Sequence, residues 1–198
     1  MQHRSLLKSL LAITLTLTSL AASAHTGHGT HSLMEGLVHP FGMDHLLAMM
    51  AVGIWSVSAL PPGKVWQGPA TFLLALVLSA CAGAMGFTVP YLEHAIALSV
   101  VLFGAMLVLA TRQMPPAVGL GLIAAAAALH GLAHGAETPA SGFEGYAAGF
   151  LTTTAALHLG GVAIGLTIRR LFAERRRIAL GSLGALLGGA GLMLFTQL

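Results

Sequence analysis

The chain has 198 residues, of which 56% are hydrophobic and only 8% are charged. Because soluble domains carry roughly 25% charged residues, this composition excludes a water-soluble globule and predicts an integral membrane protein. Lys and Arg number 9 against 6 Asp and Glu, but in a membrane protein such an excess is expected to anchor loops at anionic lipid, so it does not indicate nucleic-acid binding.

Residues 1–24 are typical of a cleaved signal peptide. Arg4 and Lys8 form a basic segment, Leu10–Leu20 an apolar core, and Ala22–Ala24 a cleavage site of small residues. Cleavage after Ala24 would leave the mature N-terminus outside the cytoplasmic membrane. The alternative is an uncleaved first helix, although the apolar core is short for a membrane span.

Residues 25–32 form a short His-rich segment of the mature N-terminus. His25, His28 and His31 lie among threonines and glycines. Tracts of this kind bind metal ions, so the segment is expected to lie in the periplasm and capture a divalent cation. A disordered leader with no such role is the equally weighted alternative.

Residues 33–198 are interpreted as a six-helix transmembrane transport domain. Six apolar stretches each have about the 20 residues that a membrane helix needs. They are predicted at Leu33–Leu60, Trp66–Val89, Leu92–Thr111, Ala117–Gly135, Phe143–Ile168 and Ile178–Gln197. The expected fold class is therefore an all-α integral membrane protein with six transmembrane helices after a cleaved signal peptide.

The basic residues of the mature chain predict its topology. Lys64, Arg112 and the five arginines between residues 169 and 177 fall in the first, third and fifth loops. Loops rich in Lys and Arg stay in the cytoplasm. We therefore expect a multi-pass protein of the bacterial inner membrane with both mature termini in the periplasm.

The first candidate metal site lies at the start of the first span, where His39, Asp44 and His45 occur. Ionisable side chains at membrane depth are costly, so they usually face the protein interior and have a function. Imidazole and carboxylate together suit divalent Ni, Co, Zn or Fe. His39 and His45 are six residues apart, about 120° around a regular helix. They can therefore share a site only if the backbone near Pro40 and Gly42 is irregular.

The second candidate site lies in the fourth span, where His130, His134 and Glu137 occur at spacings of four and seven. These spacings place the three side chains within about 60° of arc if the helix continues. Glu93 and His94 begin the third span on the same side of the membrane. They are further candidate ligands, or alternatively an interfacial pair without an ion.

His158 is the one histidine in the middle of a span. It could extend a path for an ion inward from the two clusters. A histidine in a membrane helix is also often a hydrogen-bonded structural residue, and Thr154 lies one turn before it. Both interpretations stay open at the level of sequence.

Both motifs resemble the HupE/UreJ family of nickel permeases. The resemblance rests on His39-Pro40, Gly42 and Asp44-His45 in the first span, and on His130-Gly131, His134-Gly135 and Glu137 in the fourth. The first motif has one residue between Pro40 and Gly42, whereas the family has two. The resemblance covers essentially the whole mature chain. It implies transport of nickel, with cobalt second, for the maturation of metalloenzymes, and no enzymatic activity.

Other functional classes explain the sequence less well. A membrane b-type cytochrome would account for paired histidines but not for the carboxylates beside them. A metal-dependent membrane hydrolase would use similar ligands, but the chain has no His-Glu-x-x-His motif. Another metal-binding accessory protein of the membrane is a further alternative. The chain also lacks a P-loop, so transport would be passive or secondary. The expected partners are the metal ion and the lipid bilayer, with no prosthetic group and no signal for a particular oligomeric state.

Overall fold

A computed structural model describes residues 33–111, 114–138 and 143–198, and within these ranges every regular element is a helix. These ranges contain seven α-helices, which are α1 (Leu33–Val38), α2 (Met43–Ala59), α3 (Gln67–Ala84), α4 (Leu92–Leu109), α5 (Pro116–Ala136), α6 (Phe143–Leu171) and α7 (Arg176–Phe195). Short 3-10 helices lie at His39–Phe41 and Pro62–Lys64. The all-α prediction is confirmed for this part of the chain. The predicted signal peptide, the His-rich segment and Arg112 lie outside the described residues.

Five helices, α3 to α7, are long and apolar enough to cross a bilayer. The sixth predicted span is not one straight helix. It consists of two pieces, Leu33–Phe41 and Met43–Ala59, bent by 75° with respect to each other. Among the described residues the number of candidate spans is therefore five, or six if the bent pair crosses as one span. The second span also ends earlier than predicted, at Ala84, because Gly86 adopts a left-handed conformation with φ of 86°.

The bend in the first span has a local cause in Pro40 and Gly42. Pro40 has no backbone N–H, and Gly42 has an extended ψ of 137°, so a regular helix cannot run through both. The Gly42 N–H donates to the carbonyl of His39 at 3.2 Å, and the Leu46 N–H donates to Gly42 at 2.8 Å, which starts α2. The irregular backbone that the spacing of the first motif requires is present.

Helix α2 is the centre of the bundle. It contacts α3, α4, α5, α6 and α7, and every residue from Ala51 to Val57 is buried. A helix that is apolar all round is expected to be enclosed by other helices. Residues at the start of α2 are therefore held at a depth and angle set by several neighbours at once.

Two glycines bring α6 into backbone contact with α2. A Cβ atom on Gly161 would collide with the carbonyl of Met50, and one on Gly53 would lie 2.7 Å from the backbone nitrogen of Val162. Small residues at such positions let membrane helices pack closely without a hydrophobic driving force. This close approach fixes the side chains of α6 against those of α2.

Candidate metal site

Four histidines form a continuous series of ring nitrogens at one end of the bundle. His39 Nε2 lies 3.0 Å from His134 Nδ1, and His134 Nε2 lies 3.1 Å from His45 Nδ1. His45 Nδ1 in turn lies 3.2 Å from His130 Nδ1. The four rings come from the 3-10 turn, α2 and α5. The fold thus brings the histidines of the two sequence motifs together in one place.

The bend before α2 decides which histidines meet. His130 and His134 are one turn apart on α5, and His45 lies near the first turn of α2. Since the chain turns by 75° before α2, the ring of His39 packs against His134, with ring centroids 4.8 Å apart. His39 and His45 are therefore linked through His134.

Glu137 supplies a carboxylate at the exposed end of this series. Helix α5 ends at Ala136, and Glu137 is its C-terminal cap with φ of −91° and ψ of 5°, so the helix does not continue through the motif. Its Oε2 still lies 3.7 Å from His39 Nε2 and 3.7 Å from His134 Nδ1. The side chain is 57% exposed and can therefore meet a hydrated cation.

Two overlapping groups of three side chains are arranged as metal ligands. The exposed triad consists of His39, His134 and Glu137, and the buried triad of His45, His130 and His134. Within each triad the ligand atoms lie within 4.8 Å of one another. The triads share the ring of His134, whose Nδ1 faces His39 and Glu137 and whose Nε2 faces His45, so a single imidazole lies between the two candidate positions.

The nitrogen distances match a shared cation better than a set of hydrogen bonds. Imidazole binds a divalent metal such as zinc at about 2.0–2.1 Å, which puts neighbouring ligand nitrogens about 3.0–3.4 Å apart. His45 Nδ1 faces a nitrogen of His130 at 3.2 Å and one of His134 at 3.1 Å. One ring nitrogen carries either a proton or a lone pair, so it can form only one of these hydrogen bonds. A cation would satisfy all three nitrogens.

Ser99 on α4 fixes the orientation of His130. Its Oγ donates to the carbonyl of Ile96 at 2.7 Å and lies 2.9 Å from His130 Nε2. Because the only hydroxyl proton is donated to Ile96, Oγ accepts the Nε2–H of His130. The lone pair of neutral His130 is then on Nδ1, which faces His45. Such partners of metal-binding histidines set the tautomer and the ring orientation.

Aromatic rings enclose the buried triad. The ring of Phe150 on α6 lies 5.2 Å from that of His45 and 4.9 Å from that of His134, between centroids. The ring of Phe72 on α3 lies 5.8 Å from that of His130. Apolar walls limit solvent access and so strengthen the binding of a cation to the ligands present. The sequence did not point to either ring, because aromatic residues are common in apolar spans. Ser99 was also missed, although a polar residue within an apolar span could have indicated it.

Asp44 lies next to the buried triad but outside both triads. Its Oδ1 accepts a hydrogen bond from the backbone N–H of His45 at 2.7 Å. A carboxylate in the first turn also stabilises the N-terminus of a helix. The ligand role expected of Asp44 stays a prediction.

Glu93 and His94 are not brought to the triads. Glu93 is exposed at the start of α4. The ring of His94 packs against Tyr91 and Phe195, at centroid distances of 5.9 and 5.1 Å. A ligand role for this pair stays a prediction, and the triads do not include it.

Comparison with known proteins agrees with these features. The sequence model of the HupE / UreJ protein family matches residues 13–194. Protein HupE of Rhizobium leguminosarum bv. viciae is 40% identical over 158 residues, which cover 77% of this chain and 82% of that protein. No solved structure matches the chain. The resemblance seen in the two histidine motifs is thus confirmed, and this multi-pass membrane protein belongs to the HupE/UreJ family.

Proposed function

We propose that this protein is a permease for a divalent transition-metal cation, with nickel as its main cargo and cobalt as the second candidate. The observation that carries the proposal is the unbroken series of donors from exposed Glu137, through His39, His134 and His45, to buried His130. A site that only retained a metal would need one of the two triads. Two triads sharing a ligand suit an ion that moves.

The ion is transferred by stepwise exchange of ligands. The carboxylate of Glu137 attracts the hydrated cation, and the exposed triad replaces part of its water. His45, His130 and the Nε2 of His134 then replace His39, Glu137 and the Nδ1 of His134. Because a neutral imidazole has one lone pair, Nδ1 of His134 takes up a proton as the ion leaves it and Nε2 gives up its own. The ion keeps protein ligands throughout the transfer. This matters because moving a bare charge from water into an apolar environment costs far more free energy than the folding of a protein provides.

The ligand set favours borderline transition metals over hard cations. Imidazole suits nickel, cobalt, zinc and iron, whereas magnesium and calcium prefer oxygen ligands. Because the buried triad consists of imidazoles alone, it discriminates against the abundant hard cations. A ligand imidazole must be neutral to bind, so proton movement can be linked to metal movement.

The geometry also favours transport over a b-type cytochrome. Two histidines that ligate one haem lie on opposite faces of the macrocycle. Here the ring nitrogens converge at 3.0–3.2 Å, with Phe150 and Phe72 packed against the rings. This arrangement leaves room for an ion among the nitrogens but not for a macrocycle.

The exposed triad is proposed to face the periplasm. The triads lie at the N-terminal end of α2. Arg176 donates to the carbonyl of Ser58 at 2.6 Å, and Ser58 is near the C-terminal end of α2. The basic segment 169–177 and the metal site are therefore at opposite ends of the bundle. If the basic end is cytoplasmic, as the positive-inside rule predicts, the ion enters from outside the cell.

The test is accumulation of radioactive nickel, and separately of cobalt, in bacteria that lack their own transporters for these metals. Cells that produce the protein should accumulate nickel well above cells carrying an empty vector, and excess cobalt should compete. The matched control is the His45→Ala variant at equal abundance in the membrane, which loses the central ligand. Wild-type protein that reaches the membrane without raising the accumulation of either metal would overturn the proposal.

A further inference from the structure

His158 has a buried ring nitrogen and belongs to neither triad. The residue is fully buried on α6. A Cβ on Gly53 of α2 would touch its backbone carbonyl, so the backbone of His158 is level with Gly53. Gly53 follows His45 by eight residues, or about 12 Å along α2. Since side chains on a helix lean toward its N-terminus, the ring leans back toward the buried triad.

The tautomer of His158 is set by its own helix. Its Nδ1 lies 2.8 Å from the carbonyl of Thr154, and a carbonyl can only accept, so Nδ1 carries the proton. In the neutral ring the lone pair is then on Nε2. Among the described residues Nε2 has no hydrogen-bond partner, and the same holds for the buried hydroxyl of Thr154.

An unpartnered buried nitrogen requires an explanation. Leaving such a group unsatisfied costs about 1–3 kcal/mol, so buried polar groups usually have a protein, water or ion partner. A purely structural histidine at this position would need only its bond to Thr154, and a phenylalanine or leucine would fill the space without the cost. The bond to Thr154 keeps the lone pair of the neutral ring on Nε2, and a nitrogen with an available lone pair can bind a metal ion.

One side chain connects His158 to the buried triad. The ring of Phe72 lies 4.9 Å from that of His158, 5.8 Å from that of His130 and 6.3 Å from that of His45, between centroids. The ring of Phe72 thus packs against His158 and also against two histidines of the triad. An ion that passes Phe72 would meet the Nε2 of His158 next.

We propose that His158 Nε2 is a second metal-binding station, which receives the divalent cation from the buried triad on its way to the cytoplasm. This inference rests on the proposed function. The ion exchanges triad nitrogens for the Nε2 of His158 and water. No proton is released at His158, because Nδ1–H stays bonded to the Thr154 carbonyl. The oxidation state of the metal does not change.

The first experiment separates binding from transport in the His158→Gln variant. We expect nickel binding to the purified protein to stay within about threefold of wild type, because the triads are intact, while uptake into proteoliposomes falls at least tenfold. Retained binding also shows that the variant is folded. Uptake near the wild-type rate would overturn the inference. Loss of binding together with uptake would overturn it too, because His158 would then belong to the triad or to the fold.

The second experiment reports on the station without transport. Cys81 is the only cysteine, and its replacement by Ala gives a thiol-free background for His158→Cys. A metal ion at this position should give a cobalt–thiolate charge-transfer band when cobalt is added. His45→Cys in the same background is the positive control. A band from His45→Cys without one from His158→Cys would overturn the inference. A band from His158→Cys together with failure of the wild type to transport any metal would instead overturn the proposed function and leave His158 as a binding site without a role in transport.

Discussion

Replacing Ser99 by Ala tests whether the buried triad depends on the tautomer of His130. Ser99 is 4% exposed, so no bulk water replaces the hydroxyl that accepts the Nε2–H of His130 at 2.9 Å. Leaving that N–H unsatisfied costs about 1–3 kcal/mol. The unbound ring can avoid the cost by moving its proton to Nδ1 and donating to His45, but metal binding must then reverse this change. Partners of this kind are typically worth 10–100-fold in metal affinity, so we expect a loss in that range.

The affinity is measured by competition of the purified protein with a chromogenic chelator for nickel and for cobalt. Ser99→Thr keeps the hydroxyl and should therefore keep most of the affinity for metal. If Ser99 only filled space, the presence of a hydroxyl at this position would not matter. Ser79→Ala is the matched control, because Ser79 donates to carbonyls of its own helix at Ala75 and Leu76, and it should leave the affinity unchanged. If Ser99→Ala binds nickel within twofold of wild type while His45→Ala does not bind it, the reasoning about the tautomer is refuted.

The remaining predictions concern the ligands, the packing and the topology. Asp44→Asn should abolish nickel uptake at normal abundance in the membrane, because the variant keeps the size of the side chain but not its charge; uptake near wild type would remove Asp44 from the cation path. The milder pair Asp44→Glu and His134→Gln should reduce uptake less than multiplicatively when combined, as expected for residues of one site, whereas independent losses would indicate separate sites. Gly161→Leu should lower the melting temperature in detergent, because its side chain would collide with the carbonyl of Met50, while Gly181→Leu has open space and should not; equal effects would contradict the close contact of α2 and α6. Alkaline phosphatase fused after Leu198 should be active and green fluorescent protein there dark, and the reverse would mean an odd number of spans after the signal peptide.

The sequence alone determined the class of the protein and the identity of its main ligand candidates. A chain with 8% charged residues cannot cover a globule in water, so the few ionisable groups within its spans stand out. The helical spacing of His130 and His134 already places both rings on one face of α5. Pro40 and Gly42 likewise predict the break in the first span, because one lacks an N–H and the other tolerates an extended backbone.

Only the tertiary structure decided which of these groups meet. Spacing within a helix fixes the face of a residue, but not the neighbouring helix, its depth or its angle. The 75° bend turns His39 toward His134, which lies 95 positions later, and the spacing within neither motif indicates this particular pair. The packing of α4 beside α5 supplies Ser99 to His130 and leaves His94 among other aromatic rings. These contacts depend on long-range packing between apolar helices. The sequence of such a helix does not show which other helix it packs against, so no local pattern could have predicted them.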